Sequence, residues 1–221
     1  MFNNIAPKYD LLNHVLSMGI DRLWRKKAIG LLKNISHERI LDVATGTADF
    51  AIAASRLKPA RIDGIDIAEK MLEAGRIKIR NLRLEKMINL ERADSEEIPF
   101  DDNTFDAITV GFGVRNFENL EKGLSEMFRV LKPEGTAVVL EFSTPAAFPV
   151  KHLYLLYFTK VLPLIGRLVS RDHSAYSYLP ESVKAFPSGS AFLDVYGKAG
   201  FRDLSYIPLT FGIASLYIGK K

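Results

Sequence analysis

The sequence predicts an α/β fold in a single domain spanning residues 1–221. It calls for a seven-stranded, mostly parallel sheet with an antiparallel last strand, N-terminal helices, and a helical insertion before the last helix and two strands. Three observations predict it. From Arg39 onward, short apolar runs alternate with segments of helical period, the pattern of a parallel sheet covered by helices on both faces. A glycine, Gly46, sits where the first apolar run turns into a helix, as a ligand-binding strand edge requires. The chain closes on two apolar runs joined too tightly for a crossover, which forces antiparallel pairing.

Residues 3–35 read as helical and, as residues 1–36, form an N-terminal lid. Leu11, Leu12, Val15 and Leu16 share one face, and Trp24, Ala28, Leu31 and Leu32 continue the period after a break at Gly19. Arg22, Arg25, Lys26 and Lys27 fall on or near the polar side. Strands follow at 39–43, 60–67, 87–92, 105–112 and 136–142, with helices at 47–57, 68–79 and 120–131. Lys132-Pro133-Glu134-Gly135 supplies the turn before the fifth strand. Residues 146–188 then break the rhythm with an aromatic, helix-like insertion. A helix at 190–199, a turn at Gly200-Phe201 and strands at 201–207 and 211–218, joined around Pro208, complete the domain.

Composition narrows the chemistry. The chain is 48% hydrophobic and 25% charged, enough apolar surface for a core without staples. It has no cysteine, which removes disulfides, thiolate metal sites and any cysteine nucleophile. A net charge of +4 and a pI near 9.2 suit an anionic membrane surface, a phosphate-bearing ligand or simply a well-solvated exterior. No signal peptide or spanning segment is visible, so the sequence reads as cytoplasmic, with peripheral contact at the inner membrane surface left open. The abrupt opening Met1-Phe2-Asn3-Asn4 leaves room for native residues before it.

The strongest local signal is Leu41-Asp42-Val43-Ala44-Thr45-Gly46-Thr47-Ala48-Asp49. A glycine at this turn lets a ligand approach the backbone, and the following helix start offers N–H groups to an anion. Asp66 stands 20 residues beyond Gly46, the spacing at which an acid ending the second strand accepts hydrogen bonds from both ribose hydroxyls. The full G-x-G-x-x-G of a dinucleotide site is absent: only Gly46 remains, with Ala44 and Ala48 in place of small neighbours. Asp94 and Ser95, after the third strand, can meet the amino group and a ring nitrogen of adenine.

The succession LDVATGTAD, GIDIAEKML, ADSEEIPF, DNTFD and RVLKPEG over residues 39–142 resembles the class I S-adenosylmethionine methyltransferases, which have a Rossmann-like fold. Four further segments narrow the resemblance. They are Ala6-Pro7-Lys8-Tyr9-Asp10 with Arg22-Leu23-Trp24-Arg25, then Phe112-Gly113-Val114-Arg115-Asn116, then Leu140-Glu141-Phe142-Ser143-Thr144-Pro145, and Tyr176-Ser177-Tyr178-Leu179-Pro180-Glu181-Ser182. Together they resemble the demethylmenaquinone and 2-polyprenyl-methoxy-benzoquinol C-methyltransferases of menaquinone and ubiquinone biosynthesis.

That resemblance implies S-adenosyl-L-methionine as cofactor, bound by Gly46, Thr47, Asp66, Ile67, Asp94, Ser95 and Gly111, and no metal. The serine some members carry at the position of Gly111 is missing here. Ala48 stands where the motif usually has glycine, a methyl tolerable if the backbone keeps a negative φ. Tyr217 stands where the family often has histidine. The implied acceptor is a polyprenylated quinol, whose ring carbon is activated by removing a proton from the adjacent hydroxyl.

Arg115 and Asn116 are the candidates for the quinol head, with Tyr9 closing over it. His173 and Tyr176 are weaker base candidates. In the competing assignment, Arg115 pairs with Glu141 and only holds the strand end. The apolar stretch 146–170 can cover a prenyl tail or rest on a membrane interface. A homodimer is left open, and no nucleic-acid partner is expected. An RNA methyltransferase or a dinucleotide oxidoreductase remain alternatives, disfavoured by scattered basic residues and by the missing glycines.

Overall fold

The computed structural model describes residues 19–35, 37–145, 148–156 and 174–221. Tyr9, His173 and most of the 146–170 stretch lie outside the described residues. In chain order the elements are α1 (Asp21–Leu31), β1 (Arg39–Val43), α2 (Asp49–Ala54, continued by a 3-10 turn), β2 (Arg61–Asp66), α3 (Glu69–Asn81), β3 (Ile88–Arg92) and β4 (Phe105–Gly111). Then follow α4 (Leu120–Val130), β5 (Leu131–Phe142), α5 (Val150–Leu156), α6 (Ser174–Ala185), α7 (Ser190–Lys198), β6 (Arg202–Leu209) and β7 (Ala214–Lys220).

One seven-stranded sheet runs in the order β3-β2-β1-β4-β5-β7-β6. The first five are parallel, whereas β7 pairs antiparallel with both β5 and β6. Strand alternation divides the core. Ile40, Ile62, Ala107 and Val138 face one side with Trp24, Ala28, Phe50 and Leu72. Leu41, Ile65, Ile108 and Val139 face the other with Leu124, Met127, Phe192 and Tyr196. Because both faces are covered, the central strands are apolar along their length, as buried parallel strands must be.

Two expectations are corrected at the far edge. Lys132–Gly135 is not a turn ahead of the fifth strand but a bulge within it. Leu131 already pairs with Phe105, and pairing resumes only at Thr136 opposite Ala107. Pro208 is not the closing connection. It lies inside β6 opposite Ser215, acceptable because β6 is an edge strand that has no further partner to serve. The chain turns instead at Thr210–Gly212, where Phe211 and Gly212 take positive φ.

Of the predicted lid, α1 buries Asp21, Trp24, Arg25, Ala28 and Ile29, one stripe at helical spacing. Trp24 lies against Phe112 and Phe142, at the ends of β4 and β5, and its Nε1 donates to Thr210 Oγ1 at 2.8 Å. Arg25 thus leaves the polar side on which its basic neighbours suggested it would lie.

Candidate active site

Strand order reverses between β1 and β4, and ligands of such sheets bind outside the carboxyl ends of the strands at that point. A cleft of about 220 Å³ opens there, lined by Gly46, Asp66, Ile67, Asp94, Ser95 and Gly111, with Met71, Phe112 and Asn116. Six of the seven residues expected to bind the cofactor therefore converge. The seventh, Thr47, lines a recess of about 30 Å³ that shares Ala44, Gly46, Gly111 and Phe112 with the cleft.

The turn after β1 is tight because Ala44, Gly46 and Ala48 all have positive φ, at 51°, 56° and 67°. The condition set for Ala48 is thus not met, and this alanine adopts a conformation that costs L-residues about 1–2 kcal/mol. Asp66 ties the turn down. Its Oδ2 accepts the Gly46 N–H and its Oδ1 the Ala68 N–H, both at 2.8 Å. Burial raises the Asp66 pKa above the usual carboxylate value, and the amides of Ala68, Gly46 and Ile67 oppose that rise. Across the cleft, Asp94 is exposed and its Oδ1 accepts the Glu96 N–H at 2.9 Å. Ile67, 59% exposed, offers an apolar flank. A carboxylate at the ribose position, an apolar flank and an acid–hydroxyl pair at the base position fit an adenosine.

Beneath the recess, fully buried Asp42 accepts from Thr45 Oγ1 at 2.5 Å, Thr109 Oγ1 at 2.7 Å and the Ala51 N–H at 3.1 Å. Desolvation pushes its pKa up to about 6 despite these donors. Arg25, only 7% exposed, lines the recess wall. Sequence reasoning missed it because it sits in a run of four basic residues, Arg22, Arg25, Lys26 and Lys27. The signal was the step from Asp21 to Arg25, four residues apart and hence on one helix face.

The acceptor side is built differently. Arg115 donates through Nη1 to Glu141 Oε1 at 2.7 Å and to the Phe112 carbonyl, and its backbone N–H reaches Glu141 Oε2 at 3.3 Å. The pairing anticipated as the competing assignment is present. Arg115 does not line the cofactor cleft; it lines a neighbouring cavity of about 410 Å³ formed with Phe117, Glu181, Ser182 and Phe186. Its Nε is buried without a hydrogen-bond partner among the described residues. Asn116, one residue on, does line the cleft, and its Nδ2 donates to the Phe112 carbonyl at 3.3 Å. The two candidates for the quinol head thus border different cavities.

Tyr154, buried on α5, senses the Arg115 charge, and burial raises its phenol far above the usual range. It escaped sequence reasoning amid the apolar run around it. Tyr217 takes a core role, its hydroxyl accepting the Gly189 N–H at 2.8 Å. Among the described residues no group of three or more His, Asp or Glu is placed to hold a metal, and no helix is long and apolar enough to cross a membrane.

Comparison with known proteins shows the family. The whole chain, residues 1–221, matches the ubiE/COQ5 methyltransferase family. It is 52% identical over 222 residues to the demethylmenaquinone methyltransferase of Bacteroides fragilis, covering 100% of this chain and 91% of that one. It is 50% identical over 223 residues to a ubiquinone/menaquinone biosynthesis C-methyltransferase UbiE of Geobacter sp., covering 100% and 94%. Among solved structures, an S-adenosylmethionine-dependent methyltransferase from Thermotoga maritima superposes with a TM-score of 0.68 at 19% identity, covering 100% of this chain and 98% of that one. That likeness speaks to the fold alone.

Proposed function

The chain belongs to the ubiE/COQ5 methyltransferase family, and on that premise we propose its reaction: S-adenosylmethionine-dependent C-methylation of a polyprenylated quinol ring, the step from demethylmenaquinol to menaquinol. The related benzoquinol of ubiquinone biosynthesis is a second acceptor to be tested. The observation that carries the reading is Asp66, a part-buried carboxylate held by backbone amides at the carboxyl end of β2, beside the point where strand order reverses between β1 and β4.

When bound, S-adenosylmethionine supplies an electrophilic methyl on a charged sulfur. The chain's part is to hold and orient. Asp66 accepts the two ribose hydroxyls, Asp94 and Ser95 meet the adenine edge, and Ile67 packs against it. Gly46, Thr47 and Gly111 keep the space beyond the ribose open. Asn116 orients a quinol oxygen in the cleft. Arg115, fixed by Glu141, lends positive charge from behind Asn116 and so favours the ionised quinol oxygen that pushes electron density onto the ring carbon.

A methyl-transfer assay with labelled cofactor and reduced demethylmenaquinone, run beside the benzoquinol precursor, tests this. Transfer to the naphthoquinol is expected. Asp66→Ala should raise the KM for S-adenosylmethionine roughly 10- to 100-fold, the worth of hydrogen bonds to a charged group, with turnover at saturation largely kept. No transfer to either quinol would reject the reading.

A further inference from the structure

We infer that Arg25 anchors the carboxylate of the cofactor's methionine tail, and that the recess beside Gly46 and Thr47 is a built site for an α-amino-acid zwitterion. The inference rests on the cofactor assignment above and extends it to a residue outside the strand-edge motifs.

Position is the first ground. With the ribose on Asp66 and the base toward Asp94 and Ser95, the remaining end of the ligand faces the recess, which shares Ala44, Gly46, Gly111 and Phe112 with the cleft as lining. The second ground is charge. The amides of Thr45, Gly46, Ala48 and Ala51 are already taken by the Ile65 carbonyl, Asp66, the Thr45 carbonyl and Asp42, and beside the amides left at the helix start a carboxylate entering the recess meets a side-chain cation in its wall.

Arg25 is that cation, and it is preset. Its Nη1 is fixed to Asp21 at 2.5 Å, and its guanidinium lies 5.9 Å from the centre of the Phe112 ring. Its Nη2 is only loosely engaged, 3.6 Å from Asp49. A guanidinium has five N–H donors in a fixed fork, so one edge can hold Asp21 while another receives a carboxylate. Asp49 completes the complement. It is held by Lys78 at 2.7 Å and offers negative charge to the ammonium of the same ligand. Asp42, the other acid facing the recess, has both oxygens occupied by Thr45, Thr109 and Ala51.

The test compares two ligands by calorimetry. S-adenosylhomocysteine carries the amino-acid tail; 5′-methylthioadenosine keeps the adenosine and sulfur but lacks it. Arg25→Gln should weaken S-adenosylhomocysteine about 10- to 100-fold while leaving methylthioadenosine within about twofold, and Arg25→Lys should recover part of the loss. Because Arg25→Gln removes an ion-pair partner of the buried Asp21, the pair Asp21→Asn/Arg25→Gln is measured as well, and the same selective loss is expected. Unchanged S-adenosylhomocysteine affinity in Arg25→Gln, equal losses for both ligands, or recovery in the double variant would each overturn the assignment and leave Arg25 as a partner for Asp21 only. Wild-type protein that binds neither ligand would reject the cofactor assignment itself, and this inference with it.

Discussion

The two halves of the ligand-binding edge stabilise their buried carboxylates by different means. On the cofactor half, Asp42 and Asp66 accept from hydroxyls and backbone amides. On the acceptor half, Glu141 is met by the Arg115 guanidinium. Burial raises the pKa of all three, and the leading opposing influence is a neutral hydrogen bond for the first two but the Arg115 charge for Glu141. A carboxylate held by neutral dipoles keeps its charge uncancelled. One paired with a guanidinium becomes a strut. The first half therefore carries net negative charge beneath and beside the cleft, and the second holds an ion pair at the neighbouring cavity.

The largest expected effect breaks the strut. Arg115→Ala leaves Glu141, with no exposure, beside no cation, and removing one partner of such a pair costs about 3–5 kcal/mol. Denaturant unfolding should register that loss, and adding Glu141→Gln should restore much of it. A cost below about 1 kcal/mol would mean that Glu141 is held by its amides, like the cofactor-side acids, and the contrast between the halves would fail.

The next effect sharpens the other side. The Asp42 pKa rises from 3.8 to about 6 on folding, so between those values the folded state binds more protons than the unfolded one. The stabilisation is then fully present below pH 3.8 and is lost as pH rises through 6. A tenfold change in proton affinity is worth about 1.4 kcal/mol, giving a total on the order of 3 kcal/mol. Relative to wild type, Asp42→Asn should become more stable by that amount as pH goes from about 4 to 7, read from parallel denaturant titrations. A flat difference would show that the neutral donors already compensate the burial.

The contrast also explains what was legible in the sequence. The succession of strands and helices, the cover on both faces of the sheet and the ligand-binding turn follow from local pattern, because strand periodicity and a glycine turn mark them within a few residues, whereas the strand order is set by pairing between distant segments. Asp66 could be placed from its spacing to Gly46 alone. The Ala48 backbone could not, since its φ of 67° is imposed by tertiary packing that overrides an alanine's preference. Arg115 was ambiguous because its partner Glu141 is 26 residues away, and Arg25 was misplaced because three basic neighbours masked the Asp21 partner one helical turn before it. The bulge at Lys132–Gly135 and the turn beyond Pro208 depend on register between strands, which pattern alone leaves free by a few residues.

The smallest effect tests how closely the cofactor half is packed. Gly111 lines both the cleft and the recess, and a serine there would suggest a gained contact with the ligand. The packing here argues the reverse. A Cβ at Gly111 would lie 2.8 Å from Phe50 Cδ1, and Phe50 is 3% exposed in the core beside the recess. Gly111→Ser should therefore displace the ring, cost about 1 kcal/mol or slightly more as core overpacking does, and weaken S-adenosylhomocysteine binding a few-fold. In Phe50→Leu the smaller side chain leaves room, so the same serine should cost less there. A double-mutant cycle over both positions, read in stability and in affinity, should give a coupling that favours the pair. If Gly111→Ser alone tightens binding without loss of stability, this half of the edge yields to its ligand rather than standing preformed, and its difference from the acceptor half narrows to electrostatics.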